Sequence, residues 1–243
     1  MRRKCAFGSV PMLSCLIILI LLAFSTIAPA QKDGNPNPGI LPTNSYVHGA
    51  SYGEWLARHI IWTASKPFSG FDFSPPIIYE GQSGKVFHIP WLQPDPIYLS
   101  PGTTLCLNGS NWFFSWNDPA IIAAARETAT SLGVNPDELT LEELLRLWNK
   151  YNMDFCEDMS VWIDGKLLKD AERYRVQTPI FSFTQGAGWL TIWGTDCSGY
   201  HDYVVGEGYV WMLAPLPPGT HHIRQSYTWA GVPWDDTYTI IVR

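Results

Sequence analysis

The C-terminal half of this chain is written in short β-type runs separated by turn residues. That pattern constrains the fold more than any other feature. Val161–Ile163, then Asp164 and Gly165, then Lys166–Leu168 read as a tight hairpin, because Asp-Gly accepts the positive φ of a type I′ turn. Ile180–Thr184 alternates in polarity. Trp189, Thr191 and Trp193 fall on one face of a further run, Leu190 and Ile192 on the other. Tyr209–Leu213 follows; Pro217, Pro218 and Gly219 turn the chain into His221–Thr228, and Thr237–Val242 comes last. Asp235 and Asp236 read as a solvated turn. Strands this short, with no helix alternating between them, argue against a βαβ sheet. They predict a mainly β fold, an antiparallel β-sandwich of jelly-roll or Ig-like type.

Two helical segments interrupt the pattern. Ser51 and Glu54 form a capping box, and Trp55, His59 and Trp62 recur at i, i+4, i+7, so a helix is expected over 51–64 with its tryptophan face on a sheet. His59 on that face reads as a satisfied core histidine. Asp118 can cap a second helix with Pro119 at its first position and Gly133 at its stop. Thr140 and Glu143 make another capping box ahead of Leu141, Leu144, Leu145 and Trp148, which predicts a helix over 141–152. Together these form a helical hairpin inserted at 118–152. Before Lys85–Ile89, Thr104–Asn108 and Trp112–Trp116, each a candidate strand, residues 31–45 are polar and rich in Gly, Pro and Asn, a flexible stretch by composition.

The first thirty residues carry an address. Arg2, Arg3 and Lys4 precede an apolar run from Met12 to Ile27, which ends in Ala28, Pro29 and Ala30. That is the layout of a secretory signal cut after Ala30. The run is shorter than the roughly 20 residues that span a bilayer, so no stable membrane insertion is expected after cleavage. The mature segment, from Gln31 onward, is of a size for one domain, expected over 46–243 with its insertion. Loss of the leader takes formal charge from −6 to −9, a poor match for nucleic acid, whose phosphates require a basic surface. Export into an oxidising compartment permits one disulfide among Cys106, Cys156 and Cys197, the pairing left open.

Asp196, His201, Asp202 and Glu207 are the richest polar cluster, in a Gly-containing stretch between two strands. Carboxylates with one imidazole can bind a divalent cation or supply general acid and base groups. No cofactor is otherwise implied, and no Cys/His spacing reads as a metal site. All twelve tryptophans lie after the leader; Trp189 and Trp193, beside the acidic cluster, are candidate rings for stacking on a sugar. Arg173 and Arg175 read as residues that tie a loop to the sheet. His221 and His222, adjacent on a strand, point to opposite faces and cannot share one ion.

The segments SYGEWLARHIIW, PGTTLCL, WIDGKLLKDAERYRVQTPIFSFT and GEGYVWMLAPLPPGTHHI resemble a group of secreted bacterial proteins. The resemblance covers most of 46–242, departs most at 118–152, and implies an exported β-rich domain without implying a reaction. Three functions follow as expectations. The first is a non-catalytic exported binding module for a glycan or cell-envelope ligand. The second is an envelope protein that docks a protein partner through the helical hairpin. The third is a secreted hydrolase using the carboxylates near 196–207.

Overall fold

The computed structural model describes Asn37 and residues 39–68, 77–82, 84–90, 96–189 and 196–243. The expected signal segment 1–30 and Trp193 lie outside these residues. In chain order the elements are α1 (Tyr52–Ala64), β1 (Val86–Ile89), β2 (Ile97–Leu99), β3 (Thr104–Ser115), α2 (Pro119–Ser131), α3 (Leu141–Met153), β4 (Cys156–Ile163), β5 (Lys166–Leu167), β6 (Arg175–Gln177), β7 (Phe181–Gln185), β8 (Gly199–Leu213), β9 (Gly219–Trp229) and β10 (Val232–Val242). The fold is mainly β, in two sheets. One has the order β1-β3-β8-β6, with β7 also on β8; the other runs β2-β10-β9-β4-β5.

Both sheets are mixed, where a purely antiparallel arrangement was expected. β1 runs parallel to β3, and β2 parallel to β10. After β1 the chain leaves the first sheet, contributes β2 to the second, and returns as β3. Such an excursion restores strand direction, whereas a direct hairpin reverses it.

The local signals act as their chemistry requires. Ser51 and Thr140 each complete a capping box, and Asp118 accepts from the Ala120 N–H. Each cap is worth about 1 kcal/mol. Asp164 and Gly165 adopt φ of 50° and 76° between β4 and β5. The flexible stretch expected before Tyr46 does not hold at two described positions. Asn37 exchanges hydrogen bonds with the backbone of Lys169, and Ile40 is buried in a bridge to Leu213.

β8 organises the molecule. Val204 packs with Ala64 of α1, while its neighbour Val205 packs with Ile121, Ala125, Leu145 and Trp148 of α2 and α3. The two helical units thus lie on opposite faces of one strand. Residues 199–208 look loop-like in sequence because they hold glycines and charges, yet they are strand. At Gly206 a Cβ would lie 2.9 Å from Ile60 Cδ1, so this glycine admits the helix and turns nothing. β10 likewise starts before Asp235 and Asp236, and both are strand residues. The turn sits at Ala230 and Gly231, with φ of 49° and 80°. Asp235 forms an ion pair with Arg224 across the ladder, and Asp236 is buried.

Candidate functional site

The acidic stretch does not gather. Asp196 is exposed and accepts from the Ser198 N–H at 2.8 Å, a local turn. His201 and Asp202 are adjacent on β8 and face opposite sides. His201 is buried, with Nε2 2.8 Å from the Cys197 carbonyl oxygen and its ring stacked on Phe183. Asp202 is exposed and accepts from Trp116 Nε1. Glu207 lies about 16 Å further along the strand at ~3.3 Å per residue. It is buried and accepts from Arg175 Nε at 2.6 Å and Gln177 Nε2 at 3.0 Å. Arg175 also reaches Asp154 at 2.7 Å; it is a strand residue rather than the loop residue expected, and it ties β6 to β8 and to the end of α3. Trp189 Nε1 donates to the Lys66 carbonyl at 2.7 Å, and its ring packs on Phe68, which makes it a strut between two segments. The described members of this set are separated or already paired, and they offer no shared cation site.

A different cluster forms between α1 and the first sheet. The parallel register sets His88 of β1 beside Cys106 of β3, and cross-strand neighbours present their side chains to one face. α1 covers that face. Its stripe of Trp55, His59 and Trp62 meets the imidazole of His88, with ring centroids 5.8, 5.5 and 5.7 Å away. One donor atom from each of His59, His88 and Cys106 lies within 4.8 Å of the others. All three residues have 0% exposure.

The walls of this cluster are held in place. Gln82 accepts from the His88 N–H at 2.8 Å and donates to the His88 carbonyl at 3.2 Å, which closes the open edge of β1 at that residue. Trp55 Nε1 donates to the Val47 carbonyl and Trp62 Nε1 to the Glu80 carbonyl, each at 2.8 Å. The indoles therefore have one orientation, and they shield the trio from water.

Neither ring nitrogen of His59 has a hydrogen-bond partner, although both are buried. Buried polar groups are nearly always paired, and each orphan costs about 1–3 kcal/mol. The sequence reading of His59 as a satisfied core histidine is therefore corrected: it is in the core and unsatisfied. Burial holds its imidazole well below the ordinary pKa, and the neighbouring His88 adds to this. His88 is lowered to about 3 by burial and then by Arg58. Burial pushes the Cys106 thiol up. At neutral pH the trio is two neutral imidazoles and a thiol, a set of soft and borderline donors.

Sequence spacing could not reveal this set, because three separate elements carry it and the parallel β1–β3 register assembles it. The one signal was His59 between two tryptophans on a helix face. Cys106, Cys156 and Cys197 are all free thiols, so the permitted disulfide is not formed. No helix among the described residues is long and apolar enough to cross a membrane. No family model, curated protein or solved structure matches the chain.

Proposed function

We propose that this chain is an exported, non-catalytic binding module whose ligand is a metal ion, held by His59, His88 and Cys106 between α1 and the first sheet. The observation that carries the reading is His59, whose two buried nitrogens lack any partner while a second imidazole and a thiol stand within reach. An ion would supply the missing contact. Export is supported by the cationic start, the apolar run and the small-residue end of the leader. A sandwich arrangement is supported by one apolar cluster that draws Leu105, Val210 and Leu213 from the first sheet and Val161, Ile223 and Ile240 from the second.

The other readings have weaker support. A hydrolase needs two carboxyl groups in one cleft. The open depression beside α1 is lined by one carboxylate, Glu54, already engaged in its capping box. A glycan platform needs bare ring faces; of the two candidate rings, Trp189 packs on Phe68 and donates to the Lys66 carbonyl, and Trp193 lies outside the described residues. Docking through the helical hairpin needs an outward apolar face. Ile121, Leu144, Leu145 and Trp148 instead pack with Phe114 and Val205 of the sheet.

The test is metal content after dialysis of the purified chain against zinc(II) or, without oxygen, copper(I). One ion per chain is expected in the wild type. Retention should be lost in His59→Leu and Cys106→Ser and kept in Asp196→Ala with Asp202→Ala. A wild type that retains no ion, or a His59→Leu variant that retains it fully, overturns the proposal.

A further inference from the structure

We infer that the ion is copper(I), bound as a charge-neutral complex by His59, His88 and the Cys106 thiolate, with the thioether of Met212 as a fourth donor. The inference rests on the metal-binding reading above and names the ion.

Three observations carry it. The first is charge. His59, His88 and Cys106 have 0% exposure, and the trio includes one group able to become an anion. Two cations stand on the lining indoles, Arg58 with its guanidinium 4.5 Å from the centre of the Trp55 ring and Lys66 with its ammonium 5.0 Å from the centre of the Trp62 ring. A monovalent ion and one thiolate sum to zero. A divalent ion would leave a net positive charge in a dry site, and an unpaired buried charge is strongly disfavoured. The second is the donor set. The trio has no oxygen ligand, which disfavours the hard ions calcium and magnesium, and thiolate with thioether belongs to the soft set that takes copper(I), zinc or iron–sulfur clusters, of which copper(I) alone is monovalent. Zinc with three protein ligands keeps a water in its fourth place, and indoles close this site to water.

The third is register. β3 pairs with β8 so that Cys106 faces Met212, just as β1 pairs with β3 so that His88 faces Cys106. His88, Cys106 and Met212 therefore form one row across three strands, on the face that α1 covers. Met212 is wholly buried, and its flexible side chain can reach toward the neighbouring thiolate. In binding, copper(I) adds to the Cys106 sulfur as the S–H bond breaks. One proton leaves to solvent, and no electron is exchanged.

The experiment uses the full chain without oxygen. Copper(I) is titrated against a chromophoric copper(I) chelator, and zinc(II) against a zinc chelator, with proton release followed in weak buffer. Copper(I) is expected to bind at least 100-fold more tightly than zinc(II), with one proton released per ion. Met212→Leu should weaken copper(I) about tenfold and leave zinc(II) unchanged. X-ray absorption on the loaded wild type, which requires no variant, should count two sulfur and two nitrogen neighbours. Zinc binding as tight as copper overturns this inference and leaves the metal-binding proposal standing. A single sulfur neighbour removes Met212 from the site. If neither ion binds, both readings fall together.

Discussion

His59 and His201 occupy similar surroundings. His59 has 0% exposure and lies against Trp62 and His88, with Cys106 near its ring. His201 is 9% exposed and lies against Phe183, with its Nε2 2.8 Å from the carbonyl oxygen of Cys197. Each is an imidazole under aromatic rings beside a cysteine. One nitrogen of His201 is paired, whereas His59 has none paired. Composition does not separate a structural histidine from a ligand in waiting. Hydrogen-bond satisfaction does, because a fold rarely keeps a buried imidazole wholly unpartnered unless something else completes it.

The largest effect that can break this contrast is metal-linked stability. At a free ion concentration a thousandfold above Kd, binding to the native state alone adds about 4 kcal/mol. Thermal unfolding with copper(I) should show that gain in the wild type and in His201→Leu, and none in His59→Leu. A gain that survives in His59→Leu would place the ion elsewhere and dissolve the distinction between the two histidines.

Without metal the same two substitutions should move stability in opposite directions. His201→Leu removes a hydrogen bond and orphans the Cys197 carbonyl, at a cost of about 1–2 kcal/mol. His59→Leu removes two orphaned nitrogens at similar volume and should raise stability by roughly 1 kcal/mol. Urea unfolding of the metal-free chain measures both. A loss in His59→Leu as large as in His201→Leu would mean that His59 is bonded in solution.

The same pair shows what sequence reasoning can reach. The helices were legible because capping and periodicity are local: Ser51, Glu54, Thr140 and Glu143 act within one turn. The Asp164–Gly165 turn was legible for the same reason. Residues 199–208 were not, since Gly206 makes room for Ile60 and Glu207 is neutralised by Arg175, both distant in the chain. The Ala230–Gly231 turn was hidden because alanine rarely takes positive φ. The His59, His88 and Cys106 cluster was out of reach because it exists only once β1 and β3 pair in parallel and α1 lies across them. The acidic cluster was conspicuous for the opposite reason, since its members are close in sequence while the strand spreads them over both faces.

Asp236 stands between the two histidines on the scale of partnering. It is 6% exposed and accepts one bond, from Gln225 Nε2 at 3.2 Å, while Gln225 Oε1 has no partner. Burial raises its pKa above the ordinary 3.8, against the pull of Gln225 and with the help of Asp235. A carboxyl raised in the folded state favours folding when protonated. That contribution is lost as pH rises from 3.8 through the folded value, and above it the buried charge is a burden. Asp236→Asn removes the charge and can donate to Gln225 Oε1, so it should gain about 1 kcal/mol at neutral pH. The gain should vanish below the ordinary carboxylate pKa. Urea midpoints at the two pH values decide it, and a loss at neutral pH would show the carboxylate to be better solvated than its burial implies.

The smallest effect lies at the partnered extreme, where His221 Nδ1 meets Asp164 Oδ2 at 2.8 Å and Nε2 meets the Pro217 carbonyl at 2.9 Å. The hydrogen bond with Asp164 comes first among the causes that raise His221 above its ordinary 6.5. Burial pushes Asp164 up, but the bonds from His221 and the His222 N–H outweigh it and hold the carboxyl below 3.8. The histidine's share of stability is full below 6.5 and is lost as pH rises through its raised folded pKa. The aspartate's share is present above 3.8 and is lost as pH falls through its lowered one. The pair therefore supports the β4–β5 turn most between those two ordinary values. With Asp164 44% exposed, water screens the pair, and its worth is a few tenths of a kcal/mol. NMR titration of His221 in the wild type and in Asp164→Asn should show the raised pKa fall back toward 6.5 in the variant. If the variant titrates where the wild type does, the carboxylate is not what holds the proton, and pairing at this rim says nothing about the imidazoles inside.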